Sequence, residues 1–167
     1  MLTSMNSRAL IDTNVLIFSL LPDVPVVEDM SPKAKYSFMQ SRNAKEFLSH
    51  CRKEHIEVFV SSISVSETLE FLPDTESREM FNAMSRLFTL LPFDVNAAFR
   101  AARLAYALHG LDVQKQPEKS KIRNDLYILA TGLQYNCTDF YTTDKVLIKQ
   151  ASRLSIPMEI HSLASLE

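Results

Sequence analysis

Short apolar runs alternate with longer amphipathic stretches along the whole chain. The first run, Ala9-Leu10-Ile11, has the length of a strand buried on both faces. Asp12-Thr13-Asn14 then turns the chain into Val15-Leu16-Ile17-Phe18, the expected start of a helix. Residues 21–32 carry Pro22, Pro25 and Pro32 with three acids, which predicts a surface loop. Residues 33–53 predict a long helix with Phe38, Ala44, Phe47, Leu48 and Cys51 along its apolar stripe. A second strand is expected at 56–61. A helix follows it, capped by Ser62 or Ser64 and ending near Pro73.

The second half repeats the rhythm. Residues 76–88 predict an amphipathic helix with Met80, Phe81, Met84, Leu87 and Phe88 on its apolar side, read as core. Residues 89–93 form a weak strand that Pro92 demotes to a sheet edge. A helix over 95–108 is expected to stop at Gly110, and 111–121 reads as a polar segment around Pro117. Residues 124–136 predict a helix, 138–142 a strand, 144–154 a helix and 158–161 a last strand. Strands and helices alternate without an internal repeat or linker, so residues 1–167 read as a single α/β domain. The expected architecture is three-layered, with a central parallel sheet of four to five strands and helices on both faces.

Composition narrows the classes of function. A hydrophobic share of 46% and a charged share of 23% are ordinary for a globular protein. With only two glycines and neither a GxGxxG nor a Walker A pattern, a fold needing a Gly-rich phosphate loop is disfavoured. The net charge of −2 does not announce a nucleic-acid binder. Cys51 and Cys137 lie far apart without Cys/His ligand spacing, which argues against a zinc site and a disulfide framework. The start, MLTSMNSR, has no apolar core of a signal peptide, and no long apolar span follows. A cytoplasmic protein outside the membrane is the expectation.

Four acids stand where the chain changes structure: Asp12, Glu67, Asp125 and Asp144. Each follows an apolar run or rides in the first turns of the next helix. In a parallel α/β fold those places converge on one edge of the sheet, where ligands bind. Two carboxylates about 4 Å apart repel by roughly 4 kcal/mol at an effective dielectric near 20. Gathered acids therefore call for a hard divalent cation such as Mg²⁺ (or Mn²⁺), which prefers oxygen ligands. The empty cluster is expected to hold at least one acid with a raised pKa. Divalent ions of this kind hydrolyse phosphodiesters by acidifying water and shielding phosphate charge.

The motifs around these acids resemble a known family. Leu10-Ile11-Asp12-Thr13-Asn14-Val15-Leu16 looks like the opening motif of PIN-domain ribonucleases, of the VapC-toxin-like kind. Ser62-Ile63-Ser64-Val65-Ser66-Glu67-Thr68-Leu69 resembles the second motif, and Asn124-Asp125-Leu126-Tyr127-Ile128-Leu129-Ala130-Thr131 the third. Tyr141-Thr142-Thr143-Asp144-Lys145 resembles the fourth, and all four occur in the family's order. The resemblance implies a Mg²⁺- or Mn²⁺-dependent endoribonuclease acting on single-stranded RNA, with Asp12, Glu67, Asp125 and Asp144 as catalytic, metal-holding acids. It also implies a homodimer and, as in small free-standing members, an antitoxin protein that blocks the acid cleft. Two departures stand out. The family often carries another Asp two residues after the fourth acid, where this chain has Val146, and extra length falls at 21–32 and 111–121.

Singly, each acid has an ordinary reading: Asp12 as a turn residue, Glu67 as a solvated helix residue, Asp125 and Asp144 as acids favoured at helix N-termini. Their joint order carries the site reading. Asn14, Thr142 and Thr143 read either as groups that orient carboxylates or water or as ordinary turn hydrogen-bonding residues. Glu70 competes with Glu67, and Asp139 reads as structural. Lys119, Lys121 and Arg123, just before Asp125, read either as a grip on the RNA backbone that does not read sequence or as a solvated charge run. A PIN-like RNA- or protein-binding module without turnover is the alternative, motivated by Val146. A haloacid dehalogenase-type phosphatase is the poorer rival, because that pattern needs an Asp where Asn14 stands.

Overall fold

The computed structural model describes residues 7–23, 29–111 and 119–163. Among these residues five strands form one sheet: β1 (Arg8–Ile11), β2 (Glu57–Ser61), β3 (Thr89–Leu91), β4 (Asp139–Thr142) and β5 (Glu159–Ser162). Among the described residues, seven helices connect and cover them: α1 (Thr13–Leu20), α2 (Pro32–Lys53), α3 (Ser62–Leu69), α4 (Asp74–Leu87), α5 (Val95–Leu111), α6 (Lys119–Gln134) and α7 (Lys145–Ala151). All strand pairs are parallel, and the order across the sheet is β3-β2-β1-β4-β5. The expected three-layer α/β architecture is therefore observed.

β1 explains the pattern. Ala9, Leu10 and Ile11 are all fully buried, as a central strand covered on both faces requires. Ala9 and Ile11 face a core with Val15, Leu16, Ala44, Phe47 and Val60, drawn from α1, α2 and β2. Leu10 faces the opposite core with Phe59, Ile128, Leu129, Phe140 and Leu147. Full burial of each large apolar side chain stabilises the fold by about 1.5–3 kcal/mol. Gly132 lets α6 sit close on β1: a Cβ there would lie 2.5 Å from Leu10 Cδ2.

With so few glycines, the chain turns out of two helices on other residues. His55 after α2 (φ 57°) and Asn136 after α6 (φ 56°) take the left-handed conformation that commonly closes helices. The Ile56 N–H then bonds the Cys51 carbonyl at 2.8 Å, and the Cys137 N–H bonds the Gly132 carbonyl at 2.9 Å. Each turn delivers the chain into a strand, β2 and β4, whose far ends carry functional candidates.

Several boundaries differ from the sequence expectation. α5 runs through Gly110 to Leu111. α6 begins at Lys119, so Asp125 lies in its second turn rather than at its start. α3 is capped by Ser61, whose Oγ accepts from the Ile63 N–H at 3.2 Å, not by Ser62 or Ser64. The α4 stripe is only partly core: Met84 is fully buried, while Phe81 is 45% exposed. Much of the predicted 21–32 and 111–121 segments lies outside the described residues.

Candidate active site

The strand order reverses direction beside β1: β2 and β3 lie to one side, β4 and β5 to the other. The crevice past the C-terminal ends of β1 and β4 is where open α/β sheets bind ligands. Asp12 follows β1 and caps α1, its Oδ1 accepting from the Val15 N–H at 2.7 Å. Its Oδ2 accepts from the Thr142 hydroxyl at the end of β4. The same hydroxyl oxygen accepts from the Asp144 N–H at 2.9 Å. Asp144 in turn caps α7, taking the N–H groups of Val146 and Leu147 at 2.8 and 3.2 Å. β1 and β4 are neighbours in register, which is what brings the two acids to one crevice.

Asp12 is only 4% exposed. Burial pushes its pKa from 3.8 to about 6, and the negative charge of Asp144 pushes the same way. The Thr142 hydroxyl and the Val15 and Thr143 amides pull against them without prevailing. A buried acid with a raised pKa, beside a second acid in a cleft, is a candidate functional site.

Glu67 rides on the last turn of α3 and is half-buried. One carboxylate oxygen accepts from the Thr13 hydroxyl, adjacent to Asp12. The other accepts from the Asn124 amide at 2.7 Å. Asn124 and its half-buried neighbour Asp125 lie on α6, which packs against α3. Hydrogen bonds thus link Asp144, Thr142, Asp12, Thr13, Glu67 and Asn124 through neighbouring residues of five elements. Ser64, one turn before Glu67, is fully buried with its Oγ lacking a protein partner.

The structure therefore brings Asp12 and Asp144 together and ties Glu67 into the same crevice, with Asp125 beside its anchor. The gathering is open: among the described residues, the one group of three with ligand atoms within 4.8 Å of one another is Asp139, Glu159 and His161, elsewhere on the sheet. Thr142 donates its hydroxyl to Asp12, and Thr143 reaches the same carboxylate through its backbone. Asn14 and Glu70 are exposed, as is Arg123 on α6. Lys119 and Lys121 belong to the first turn of α6, not to a loop. Sequence reasoning missed Thr13 and Asn124, whose one linear signal is adjacency to Asp12 and Asp125. Among the described residues, no helix is long and apolar enough to cross a membrane.

No protein-family model matches the chain, and no curated protein matches it in sequence. The likeness lies in three dimensions, and it is to PIN-like α/β chains of toxin–antitoxin complexes. A chain of the VapBC2 complex from Rickettsia felis, crystallised with a fragment of its promoter DNA, superposes with TM-score 0.62 at 12% identity, over 93% of this chain and 98% of that one. A chain of VapBC-1 from nontypeable Haemophilus influenzae does so with TM-score 0.62 at 12% identity, over 95% and 99%. A toxin–antitoxin complex from Klebsiella pneumoniae gives TM-score 0.54 at 19% identity, over 92% and 100%. At these identities the likeness is one of fold, and it covers the whole arrangement of sheet and helices.

Proposed function

We propose that the protein is a metal-dependent endoribonuclease and the toxin of a toxin–antitoxin pair. Asp12, Glu67, Asp125 and Asp144 hold Mg²⁺ or Mn²⁺, directly or through water. The observation that carries the reading is Asp12: a carboxylate buried at the reversal point of the sheet, coupled to a second acid and raised to about 6. The donor set is all oxygen, which fits a hard divalent ion. The wide spacing of the acids suits Mg²⁺, which keeps several of its waters. When bound, such an ion supplies Lewis-acid polarisation of the phosphate and acidification of water.

The chain's own part is to hold these groups. Thr142 and the Val15 amide fix the Asp12 carboxylate, and Asp12 gives up its proton as positive charge arrives. Thr13 and Asn124 grip both oxygens of Glu67 and set its distance from Asp12. Lys119, Lys121 and Arg123 precede Asp125 on α6 and contact RNA phosphates, which confers grip without base choice. A homodimer and an inhibitory antitoxin complete the assignment. The fold likeness to chains of toxin–antitoxin complexes supports that partner.

The test is cleavage of single-stranded RNA by the purified protein with Mn²⁺. Asp12→Asn is expected to lower the rate at least about 10³-fold, which corresponds to roughly 4 kcal/mol of transition-state stabilisation. Full activity in a folded Asp12→Asn protein refutes the assignment.

One observation favours a second reading, a PIN-like RNA- or protein-binding module without turnover. Val146, where the resembled family often has an acid, is 60% exposed at the mouth of the Asp144 corner. Calorimetry separates the two: no Mn²⁺ binding at about millimolar metal favours the inert module, whereas binding that Asp12→Asn abolishes favours the nuclease.

A further inference from the structure

We propose that Asp139, Glu159 and His161 form a separate metal site for a zinc-class divalent ion, at the edge of the sheet opposite the four acids. It stands on different residues from the nuclease reading and holds whether or not that reading does. The parallel register of β4 and β5 sets Asp139 opposite Glu159 and Tyr141 opposite His161. Side chains two apart on a strand share a face, so all four lie on one side of the sheet. Asp139 and Glu159 open their strands, whereas Asp12 and Asp144 follow strand ends.

The geometry is close to what a small tetrahedral ion needs. His161 Nε2 lies 2.8 Å from Asp139 Oδ1 and 3.8 Å from Glu159 Oε2. All three ligand atoms fall within 4.8 Å of one another. Bonds of about 2.0–2.1 Å in a tetrahedron set ligand atoms about 3.3 Å apart, between the two observed separations. A single imidazole nitrogen facing two carboxylates is a mixed donor set, which selects zinc-like ions over Mg²⁺.

The support around these atoms is of the kind that fixes ligands. The Tyr141 ring stacks on the His161 imidazole at 4.7 Å and 20°, which sets the ring's plane. The second oxygen of Asp139 accepts from the Ser7 and Thr138 hydroxyls at 2.8 and 2.7 Å, leaving Oδ1 directed at His161. Glu159 is 82% exposed at the side chain, so the site opens to solvent on that side and a water can complete the coordination. Two carboxylates around one imidazole also leave net negative charge at the site, whichever form the imidazole takes.

Co²⁺ titration of the full chain, followed by visible absorption, is the test. The expected result is the intense band of tetrahedral cobalt, saturating stoichiometrically. Glu159→Gln and His161→Gln weaken the affinity about tenfold or more, and Ser7→Ala weakens it to a smaller degree. Asp12→Asn leaves the band intact, and Zn²⁺ competes it away. Because Glu159 is largely solvated, Glu159→Gln removes a ligand without threatening the fold. Absence of the band at about millimolar Co²⁺ overturns the proposal and leaves His161 and Asp139 as a simple hydrogen-bonded pair. So does a band that Glu159→Gln spares and Asp12→Asn erases.

Discussion

At the C-terminal edge of the sheet Asp12 is 4% exposed, accepts a threonine hydroxyl, and feels a second acid, Asp144. At the N-terminal edge Asp139 is half-buried, accepts two hydroxyls, and faces His161. Burial raises the pKa of both. At Asp139 the Thr138 and Ser7 hydroxyls and His161 outweigh it, and the pKa ends below its ordinary value. At Asp12 they do not, and the pKa ends near 6. Similar donors therefore have opposite net results, decided by depth and by the sign of the neighbouring charge. At the N-terminal edge the chain's own donors already hold the Asp139 carboxylate in its charged form. At the C-terminal edge burial and the charge of Asp144 hold the Asp12 carboxyl back from ionising.

The largest effect that tests this contrast is catalytic. Asp12→Asn should abolish RNA cleavage while circular dichroism stays native, and Asp139→Asn should leave cleavage within a few-fold of the parent.

The next concerns stability without metal. Folded Asp12 keeps its proton up to about 6, whereas an unfolded Asp releases it near 3.8. Between these values the folded state binds more protons, so stability falls as pH rises from about 4 to 6. A shift of this size corresponds to about 3 kcal/mol at most. Urea unfolding across that range should show the decline, and Asp12→Asn should flatten it. Asp139 acts in the opposite sense: its contribution is present above the ordinary carboxylate value and is lost as pH falls through its lowered pKa. A Mn²⁺ titration at neutral pH should restore stability to the parent and not to Asp12→Asn.

The smallest expected effect falls on the grip around Glu67. Asn124→Ala frees one Glu67 oxygen and should weaken Mn²⁺ affinity about tenfold, with little change in thermal stability. Unchanged affinity would show that Asn124 is only a contact between α3 and α6.

Strands were legible because burial on two faces leaves a continuous apolar run. Ala9-Leu10-Ile11 and the run ending at Ser61 fall where they were expected. α2 was legible from its stripe, since Ala44, Phe47 and Cys51 recur at helical spacing and are buried. The start of α6 was not, because Lys119 to Arg123 carries no apolar rhythm and Pro117 suggested a break. Gly110 was read as a stop, but its weak helix propensity of about 1 kcal/mol does not end a helix that its neighbours support. In the site, Asp12, Thr142 and Asp144 were readable from strand ends and adjacent turns. Thr13 and Asn124 were not, since their value lies in reaching Glu67 across three helices. His161 escaped notice for the same reason: its partners are set by the register of β4 and β5, which no linear spacing encodes.

The hydrogen bond between Thr142 and Asp12 joins residues 130 positions apart. A chain leaving the ribosome exposes Asp12 a full 130 residues before Thr142. β4 must slot in beside β1 before the crevice exists at all. The bond that positions Asp12 is therefore made only after the residues between the two strands have emerged and packed.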